Sequence, residues 1–449
     1  MRLSQALRFS TSSVIAFSGA GGKTSALFQL ARERAPAIVT TTTHLGAWQV
    51  ASADRHLIWE AGTTLPEIGS QTNPGVLLIT AGLEGERYRG LVPTQMEMLR
   101  RRAAELALPL LIEADGARGK PLKAPGGHEP PIPDFVQVVV VVAGLSGLDR
   151  PLTEETVQRA GIFAGLAGQE IGQTLTAAML VRVLTHPEGG LKNIPARARR
   201  IALLNQADTT DLQAQAAGMA GALLHNFDAV VVASLNRPRS AQADLASSIH
   251  AVHEPVAGII LAAGESSRFG RPKQLLDYHG QAFVRQVAHT ALQAGLSPVV
   301  VVTGANAEPV EAALQNLPVT IIRNPAWQSG QSSSIKTGIN ALPPGVGAAV
   351  FLLADQPQVT QHVIQALVER HASERAAIVA ALAGGRRANP TLFDSSTFED
   401  LLGISGDVGG RAIFSRHPVD YVEWHDESLL LDVDTEADYH KLLAWGVED

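Results

Sequence analysis

Short apolar runs alternate with amphipathic, helix-like stretches along the whole chain. Apolar runs bounded by glycine and polar residues are typical of buried strands, whereas apolar residues at helical intervals indicate helices. In the first half, strands are expected at 14–18, 37–41, 76–80, 108–113, 136–143, 200–204 and 228–234. Helices are expected between them at 24–33, 93–106 and 211–224. This alternation predicts an α/β fold with mostly parallel sheets.

The alternation is interrupted at residues 236–254, where proline, serine, arginine and alanine are frequent and no apolar run typical of a strand is found. It resumes with "VAGIILAAG", and further strands are expected at 298–303, 318–323, 348–354, 377–382, 419–424 and 428–433. A chain of 449 residues is long enough for more than one domain. The pattern therefore predicts a domain over 1–235, a linker over 236–254 and a second domain over 255–449.

Composition narrows the function classes. Hydrophobic residues make up 45% of the chain and charged residues 18%, which suits globular domains with large cores. The net charge of −7 argues against nucleic acid or a membrane surface as a general partner. The absence of cysteine excludes disulfides and thiolate chemistry. The apolar runs are short and the N-terminus is polar, so the expectation is a cytoplasmic enzyme or NTP-dependent factor.

The stretch "GIILAAGESSRFGRPKQLL", residues 258–276, follows an apolar strand with a glycine-rich, basic loop. Glycines let backbone N–H groups approach phosphate oxygens, and ligands bind at the carboxyl ends of strands in open α/β sheets. Arg268 and Lys273 add positive charge beside this loop. The residues therefore indicate a phosphate site, with a plain basic surface loop as the alternative.

Carboxylates follow two later apolar stretches. Asp355 ends "AAVFLLAD", and Asp432 and Asp434 end the expected strand in "LLLDVDTEADY". Mg²⁺ is commonly held by one or two carboxylates together with substrate phosphates, so Asp355 and Asp434 are candidate magnesium ligands. Asp434 has an alternative role as the N-cap of the following helix.

The serine-rich stretch "NPAWQSGQSSSIKTG", residues 324–338, precedes an expected helix. Gly330, Ser332, Ser333 and Ser334 are candidates for phosphate or base contacts at that helix N-terminus. N-capping with solvent exposure is the alternative role for these serines.

A second glycine-rich loop lies near the N-terminus, in "VIAFSGAGGKTSALFQLARE". Its "GGKTS" matches the end of a P-loop, in which Gly21 and Gly22 cradle phosphates, Lys23 reaches the β- and γ-phosphates and Thr24 contacts Mg²⁺. Phe17 stands where the full pattern has glycine, so the match is to a shorter variant, SGAGGKT. The first domain is thus expected to be P-loop-like and to bind ATP or GTP, with a vestigial, purely structural loop as the alternative.

Two later strand ends support nucleotide binding in the first domain. "PLLIEADGARGK" places Glu113 and Asp115 as further candidate magnesium ligands. "RIALLNQAD" resembles the NKxD element with which G proteins read guanine, which makes Asn205 and Asp208 candidate base-contacting residues. Gln206 replaces the lysine of that element, which leaves guanine preference open.

The second half resembles the nucleotidyltransferase superfamily through "LAAGESSRFGRPKQLL", which follows the signature LAAGxSxRxGxxKxL. The further stretches "VVTGANAEPV", "NPAWQSGQSSSIKTGI", "LLADQPQVT", "ANPTLF", "GDVGGRAIF" and "DVDTEADY" resemble the MocA-like molybdenum cofactor cytidylyltransferases over residues 256–445. Phe269 departs from the methionine that the family more often has. The resemblance implies a Rossmann-like domain that transfers CMP from CTP to the terminal phosphate of molybdopterin and releases pyrophosphate.

The resemblance also implies roles for individual residues. The nucleotide would contact the backbone of Ala262, Ala263 and Gly264, together with Gly330, Ser332 and Ser333. Arg268 and Lys273 would steady the triphosphate and pyrophosphate. Asp355 and Asp434 would hold Mg²⁺. Guanylyl-transferring relatives usually have LAGG where this chain has "LAAG", which favours CTP without deciding it.

The first half resembles the YqeC-like family, whose members are named selenium-dependent molybdenum hydroxylase accessory proteins. The resemblance covers residues 10–235 and is carried by "GAGGKTS", "VTTTTHL", "IEADGARGKPLKAPGGHEPPIP" and "LLNQAD". It implies a role in maturing a molybdenum hydroxylase of the xanthine dehydrogenase type. The leading hypothesis is therefore a Mg²⁺-dependent CTP:molybdopterin cytidylyltransferase fused to a nucleotide-binding accessory domain. Two alternatives stay open, namely a nucleotidyltransferase with another NTP or phosphate acceptor, and a non-catalytic carrier of the molybdenum cofactor.

Overall fold

The chain forms two compact units, Met1–His253 and Glu254–Asp449. The computed structural model describes residues 1–9, 12–68, 75–235, 248–266 and 269–445. Of the expected linker over 236–254, residues 236–247 lie outside the described part of the chain. Residues Ser248–His253 are a strand of the first unit rather than linker.

In the first unit the strands are β1 (Val14–Gly19), β2 (Ala37–Thr41), β3 (His44–Gly46), β4 (Arg55–Ile58), β5 (Val76–Thr80), β6 (Leu83–Glu84), β7 (Arg87–Arg89), β8 (Leu110–Glu113), β9 (Leu122–Lys123), β10 (Val138–Gly144), β11 (Val157–Gln158), β12 (Arg199–Asn205), β13 (Ala229–Ser234) and β14 (Ser248–His253). The helices are α1 (Leu3–Ala6), α2 (Lys23–Glu33), α3 (Pro93–Glu105), α4 (Ala160–Ala167), α5 (Ala177–Thr185) and α6 (Thr210–Leu223), with 3₁₀ turns at Ala47–Ser52 and Leu145–Gly147.

Nine of these strands form one sheet in the order β14-β13-β12-β10-β1-β8-β2-β5-β4. Every neighbouring pair is parallel except β13 and the edge strand β14. Hydrophobic cores cover both faces: Val139 and Val141 enter one core and Val140 and Val142 the other. A strand buried on both faces reads as a continuous apolar run, which explains "VVVVVAG" in β10.

The strands and helices expected in the first half are confirmed. Strand β14 was missed because its pairing with β13 shifts register between Val232 and Ala233. Ile249 and Val252 therefore both reach the core, although their spacing does not follow the two-residue alternation by which a strand is recognised. The short sheet β3-β7-β6 was also missed, since strands of two or three residues carry no readable periodicity.

In the second unit the strands are β15 (Val256–Ala262), β16 (Asp277–Tyr278), β17 (Gln281–Ala282), β18 (Val299–Thr303), β19 (Thr320–Arg323), β20 (Ala348–Leu353), β21 (Ile378–Ala383), β22 (Arg386–Asp394) and β23 (Val419–Trp424). The helices are α7 (Phe283–Gln293), α8 (Ala307–Ala313), α9 (Gln331–Asn340), α10 (Gln361–Glu374), α11 (Phe398–Gly403) and α12 (Glu436–Trp445), with 3₁₀ turns at Lys273–Leu275, Trp327–Ser329, Ser395–Thr397, Gly410–Ile413 and Glu427–Leu430.

Seven strands of this unit form a sheet in the order β19-β18-β15-β20-β22-β21-β23, in which only β22 runs antiparallel to its neighbours. The fold class is thus α/β with mostly parallel sheets in both units. Within the described residues, each helix is too short or too polar to span a lipid bilayer.

The strand expected at 428–433 is wrong. A 3₁₀ turn occupies Glu427–Leu430, and irregular backbone follows it. The side-chain amide of Gln358 donates to the carbonyls of Ser428 and Leu431, at 3.2 and 2.9 Å. Leu429 and Leu431 are buried, so this apolar run reflects packing against the unit rather than membership of a sheet.

Two candidate nucleotide sites

The first glycine-rich loop joins β1 to α2 at the carboxyl edge of the first sheet. Gly19, Gly21 and Gly22 have φ of +92°, +78° and +124°, a backbone region that favours glycine. A Cβ on Gly21 would collide with the backbone of Gly144 and the carbonyl of Pro121. The sequence "GAGGKT" is therefore required by the conformation and close packing of the loop.

Lys23, the first residue of α2, is held at the base of this loop. Its Nζ donates to the Gly19 carbonyl at 2.6 Å and lies 3.2 Å from Asp115 Oδ1, and its side chain is only 4% exposed. Asp115 Oδ2 also accepts from Lys123 Nζ at 2.8 Å and from the Gly19 N–H at 3.2 Å. Because cations and a backbone N–H surround Asp115, this carboxylate anchors the loop and the lysine, and its role as a magnesium ligand stays a prediction.

Thr24 and Glu113 meet on the other side of Lys23. The Thr24 hydroxyl donates to Glu113 Oε2 at 3.1 Å and accepts from Gln49 Nε2 at 2.6 Å. Burial raises the pKa of Glu113, and the positive charge of Lys23 partly offsets that rise. A hydroxyl beside a buried carboxylate is a donor set that fits Mg²⁺, so Thr24 and Glu113 would hold the ion.

Asn205 and Asp208 are not arranged to read a base. Asn205 is buried, its Nδ2 donates to the Gly21 carbonyl at 2.8 Å, and its Oδ1 accepts from the Leu235 N–H at 2.8 Å. Asn205 thus fixes the glycine loop, and Asp208 is exposed beyond the strand. Gln206 instead lines the cavity above the loop and accepts from the Ser146 hydroxyl at 2.6 Å.

That cavity has a volume of about 800 Å³. It is lined by the glycine loop with Lys23 and Thr24, and also by Trp48, Arg87 and Arg118, which we call the wall residues. The wall residues were not identified from the sequence. Only the basic "GARGK" stretch gave any signal, since Trp48 and Arg87 lie in short elements without a motif.

The second glycine-rich loop follows β15 in the second unit. Ala263, Gly264 and Ser266 line a cavity of about 700 Å³, whereas Ala262 is 1% exposed and belongs to the core. The Gly264 carbonyl accepts from Gln274 Nε2 at 2.8 Å, and the Ser266 hydroxyl accepts from the Lys273 N–H at 3.1 Å. The loop therefore folds back onto the 3₁₀ turn at Lys273–Leu275, and a β16–β17 hairpin separates it from α7.

Lys273 brings together the two predicted magnesium ligands. Its Nζ lies 2.6 Å from Asp434 Oδ1 and 3.8 Å from Asp355 Oδ2. Burial raises the pKa of Asp355, Lys273 lowers it, and Asp432 and Asp434 raise it further. Arg268, the other predicted catalytic cation, lies outside the described residues.

Two carboxylates that converge on one cation fit a Mg²⁺ ion completed by substrate phosphates. Asp355 and Asp434 would hold that ion. Among the described residues, no three His, Cys, Asp or Glu side chains form a metal-binding group.

The serine stretch lies inside the first turn of α9 rather than before the helix. Gly330 is the N-cap, with φ of +103°, and lines the cavity together with Ser334. Ser332 donates to the Gly406 carbonyl at 2.7 Å and Ser333 to the Gly330 carbonyl at 2.8 Å. Both hydroxyls therefore stabilise the start of the helix. Asp407 lines the cavity and accepts from the Gln331 N–H at 3.2 Å, and it was not identified from the sequence.

Two families match separate parts of the chain. Residues 15–161 match the YqeC protein family, and residues 258–421 match the MobA-like NTP transferase domain. The first match contains the P-loop-like stretch, and the second contains the loop after β15, Lys273 and Asp355.

Individual relatives agree with this division. The protein YqeC of Escherichia coli K12 is 34% identical over 206 residues, covering 43% of this chain and 75% of YqeC. Nicotine blue oxidoreductase of Paenarthrobacter nicotinovorans is 35% identical over 197 residues, covering 42% of this chain and 96% of that protein. The purine catabolism protein PucB of Bacillus subtilis 168 is 31% identical over 196 residues, covering 40% of this chain and 93% of PucB. The chain therefore belongs to the YqeC family through its first unit and to the MobA-like NTP transferases through its second.

Proposed function

We propose that the second unit transfers CMP from CTP to the terminal phosphate of molybdopterin, the organic part of the molybdenum cofactor. The observation that carries this proposal is the position of Lys273 between Asp355 and Asp434 in a cavity that the glycine-rich loop also lines. Nucleotidyl transfer needs charge neutralisation and alignment more than covalent catalysis by the protein.

In the proposed reaction, an oxygen of the acceptor phosphate attacks the α-phosphorus of CTP, and the bond to the pyrophosphate oxygen breaks. The N–H groups near Ala263 and Gly264 approach the triphosphate, and Lys273 neutralises charge that develops on pyrophosphate. Arg268 is proposed to assist Lys273. Bound at Asp355 and Asp434, Mg²⁺ would supply further charge neutralisation.

The first unit is proposed to bind ATP or GTP through Gly21, Gly22, Lys23 and Thr24, and to assist delivery of the product to a molybdenum hydroxylase of the xanthine dehydrogenase type. Its membership of the YqeC family and the P-loop-like geometry of Lys23 and Thr24 support this proposal. Fusion would raise the effective concentration of one activity near the other.

The decisive experiment measures pyrophosphate release with molybdopterin, with and without molybdenum, Mg²⁺ and each of CTP, GTP, ATP and UTP. Release with CTP that Asp355→Ala abolishes is the expected result. Pyrophosphate release with another NTP would identify that NTP, rather than CTP, as the substrate. Release only with other phosphate acceptors would show that molybdopterin is not the acceptor. No release from folded protein would overturn the transferase, and a pterin retained on the purified chain would then identify a carrier.

Oxidoreduction is a second candidate for this unit, because one relative is named nicotine blue oxidoreductase. The ion-paired Lys273 and two carboxylates favour phosphate chemistry over electron transfer. Loss of the colour of nicotine blue with a reduced nicotinamide as reductant, in protein that releases no pyrophosphate, would favour the oxidoreductase.

A further inference from the structure

We propose that the cavity of the first unit binds a second substrate beside the nucleotide, and that this substrate is a planar aromatic compound carrying an anionic group. The inference rests on the proposed nucleotide binding at the loop after β1. It assigns the wall of the cavity, formed by the lining residues His44, Trp48, Arg87 and Arg118, as the second subsite.

Strand order places this wall at the terminal-phosphate end of the nucleotide. β1 lies between β10 and β8, and Gln206 follows β12 on the β10 side. Thr24 and Glu113 meet on the β8 side, towards β2. In P-loops the lysine and the hydroxyl residue serve the β/γ-phosphates and Mg²⁺, so the terminal phosphate faces the elements that follow β2.

Trp48 is built into those elements. It lies in the 3₁₀ turn after β3, and its neighbour Gln49 donates to the Thr24 hydroxyl at 2.6 Å, which fixes the turn against the phosphate loop. A Cβ on Gly46 would lie 2.7 Å from Trp48 Nε1, so glycine leaves the space that the indole occupies. Trp48 is nonetheless 59% exposed and lines the cavity. An indole held in this way offers a stacking surface for a planar ring.

The charges around Trp48 favour an anion. Arg87 pairs across β3 and β7 with Gly46, is exposed, and lines the cavity. Arg118 approaches from the loop after β8 and is exposed as well. Among the described residues that line the cavity, Glu113 is the only carboxylate, and it lies at the loop end beside Thr24. Arg87 and Arg118, which belong to elements other than the phosphate loop, thus offer positive charge to a second anionic group.

The cavity reaches beyond the phosphate loop. Its volume is about 800 Å³, and its lining includes the wall residues as well as the loop. Since the loop engages phosphates, the proposal assigns the part of the cavity beside the wall residues to the second ligand.

The test uses 1-naphthyl phosphate as the probe, with 1-naphthol and inorganic phosphate as matched compounds that lack the charge or the ring. Calorimetric titration of the full chain is expected to show binding of 1-naphthyl phosphate at least tenfold tighter than either control. Trp48→Ala is expected to weaken probe binding by about tenfold because it removes ring stacking. Arg87→Ala is expected to weaken probe binding by about tenfold because it removes a guanidinium that would pair with the phosphate. Trp48→Phe keeps a ring and should retain most of the affinity, which separates stacking from loss of fold.

Two further measurements make the outcome decisive. Trp445→Ala removes another exposed tryptophan, in the second unit, and should leave probe binding unchanged. ATP and GTP should bind with the probe present, and Trp48→Ala should change their affinity less than twofold. Competition between probe and nucleotide, or equal binding by wild type and Trp48→Ala, would overturn the second subsite. Probe binding without any nucleotide binding would instead overturn the nucleotide function and keep the subsite.

Discussion

The two glycine-rich loops begin alike and present their lysines differently. Each follows a central strand of a mostly parallel sheet. Lys23 directly begins a helix, is 4% exposed and is paired with Asp115, whose side chain is 2% exposed. Lys273 stands after a folded-back loop, is 11% exposed and is paired with Asp434, whose side chain is 55% exposed. The first lysine is part of a buried framework, whereas the second is paired with a carboxylate that is more than half exposed.

The surroundings of Lys23 extend this contrast. Lys123 bridges Asp115 and Glu129 at 2.8 Å each, and Arg159 binds Glu129 through two hydrogen bonds. Buried charges need partners, since an ion removed from water without compensation is strongly destabilising. The first loop therefore contributes to folding, while the pair of the second loop, whose carboxylate is more than half exposed, is expected to contribute less to stability.

The largest expected effect is a reciprocal loss of function. Lys273→Ala should lower pyrophosphate release by at least about a hundredfold, because a preorganised cation at the developing charge is lost. Lys23→Ala should abolish nucleotide binding in the first unit. Pyrophosphate release and binding of a fluorescent ATP or GTP analogue measure the two effects.

The comparison depends on each substitution affecting its own unit. Lys23→Ala should leave pyrophosphate release within about twofold of wild type, and Lys273→Ala should leave binding of the analogue unchanged. Loss of transfer in folded Lys23→Ala protein would show that the two sites operate as one.

The sequence allowed the first lysine to be placed because the loop that holds it is one local motif, although its ion-pair partner Asp115 lies on a later strand end. Lys23, Thr24 and the end of β1 belong to one motif, and a long apolar strand such as β10 has a clear pattern. The pairing of Lys273 with Asp434 joins residues far apart in sequence, and the sequence analysis named both residues as site candidates without predicting that they pair. The contacts of Asn205 and Asp115 with the first glycine loop were missed because a motif gives residue type and position. It does not show which groups of the protein a side chain is hydrogen-bonded to. The wall around Trp48 was missed because it consists of elements too short for periodicity.

The next effect is on stability. Asp115→Asn should destabilise the first unit by about 3 kcal/mol, because it leaves Lys23 and Lys123 buried without their shared carboxylate. Asp434→Asn makes the same chemical change in the exposed pair and should change stability by less than about 1 kcal/mol. Urea titration followed by hydrogen exchange of peptides from β8 and β20 measures each unit. Equal losses of stability for the two substitutions would contradict the distinction between the buried framework around Lys23 and the Lys273–Asp434 pair.

A smaller effect concerns how each loop is fixed. Asn205→Ala should destabilise the first unit by about 1–3 kcal/mol, because the Gly21 carbonyl and the Leu235 N–H lose a buried partner. Gln274→Ala removes the hydrogen bond to the Gly264 carbonyl and a long one, 3.4 Å, from the Ser266 hydroxyl. Gly264 is exposed, so water can replace the amide there. The effect of Gln274→Ala should be under about 1 kcal/mol. The same urea titration checks both substitutions. A larger loss of stability for Gln274→Ala than for Asn205→Ala would contradict the expectation that the first loop is fixed more strongly.

The smallest effect is a pH dependence of the first framework. Burial tends to raise the pKa of Glu129, but hydrogen bonds from Arg159 and Lys123 outweigh it and lower the pKa from 4.5 to about 2. A carboxyl whose pKa is lower in the folded state stabilises the fold above its unfolded pKa and loses that contribution as pH falls. The contribution of Glu129, about 1 kcal/mol after solvent screening, should therefore be complete at neutral pH and disappear between about pH 4.5 and 2.

Glu129→Gln tests this directly, because the difference in stability from wild type should shrink as pH falls through that window. Glu97 is the matched control: hydrogen bonds from Arg100 and Arg101 lower its pKa to about 2 as well, but on the surface of α3. Salt at about 0.5 M should screen the effect of Glu97→Gln and leave that of Glu129→Gln largely intact, since partly buried pairs are screened less. Equal salt sensitivity of the two variants would place Glu129 in solvent and remove it from the framework that holds Lys23.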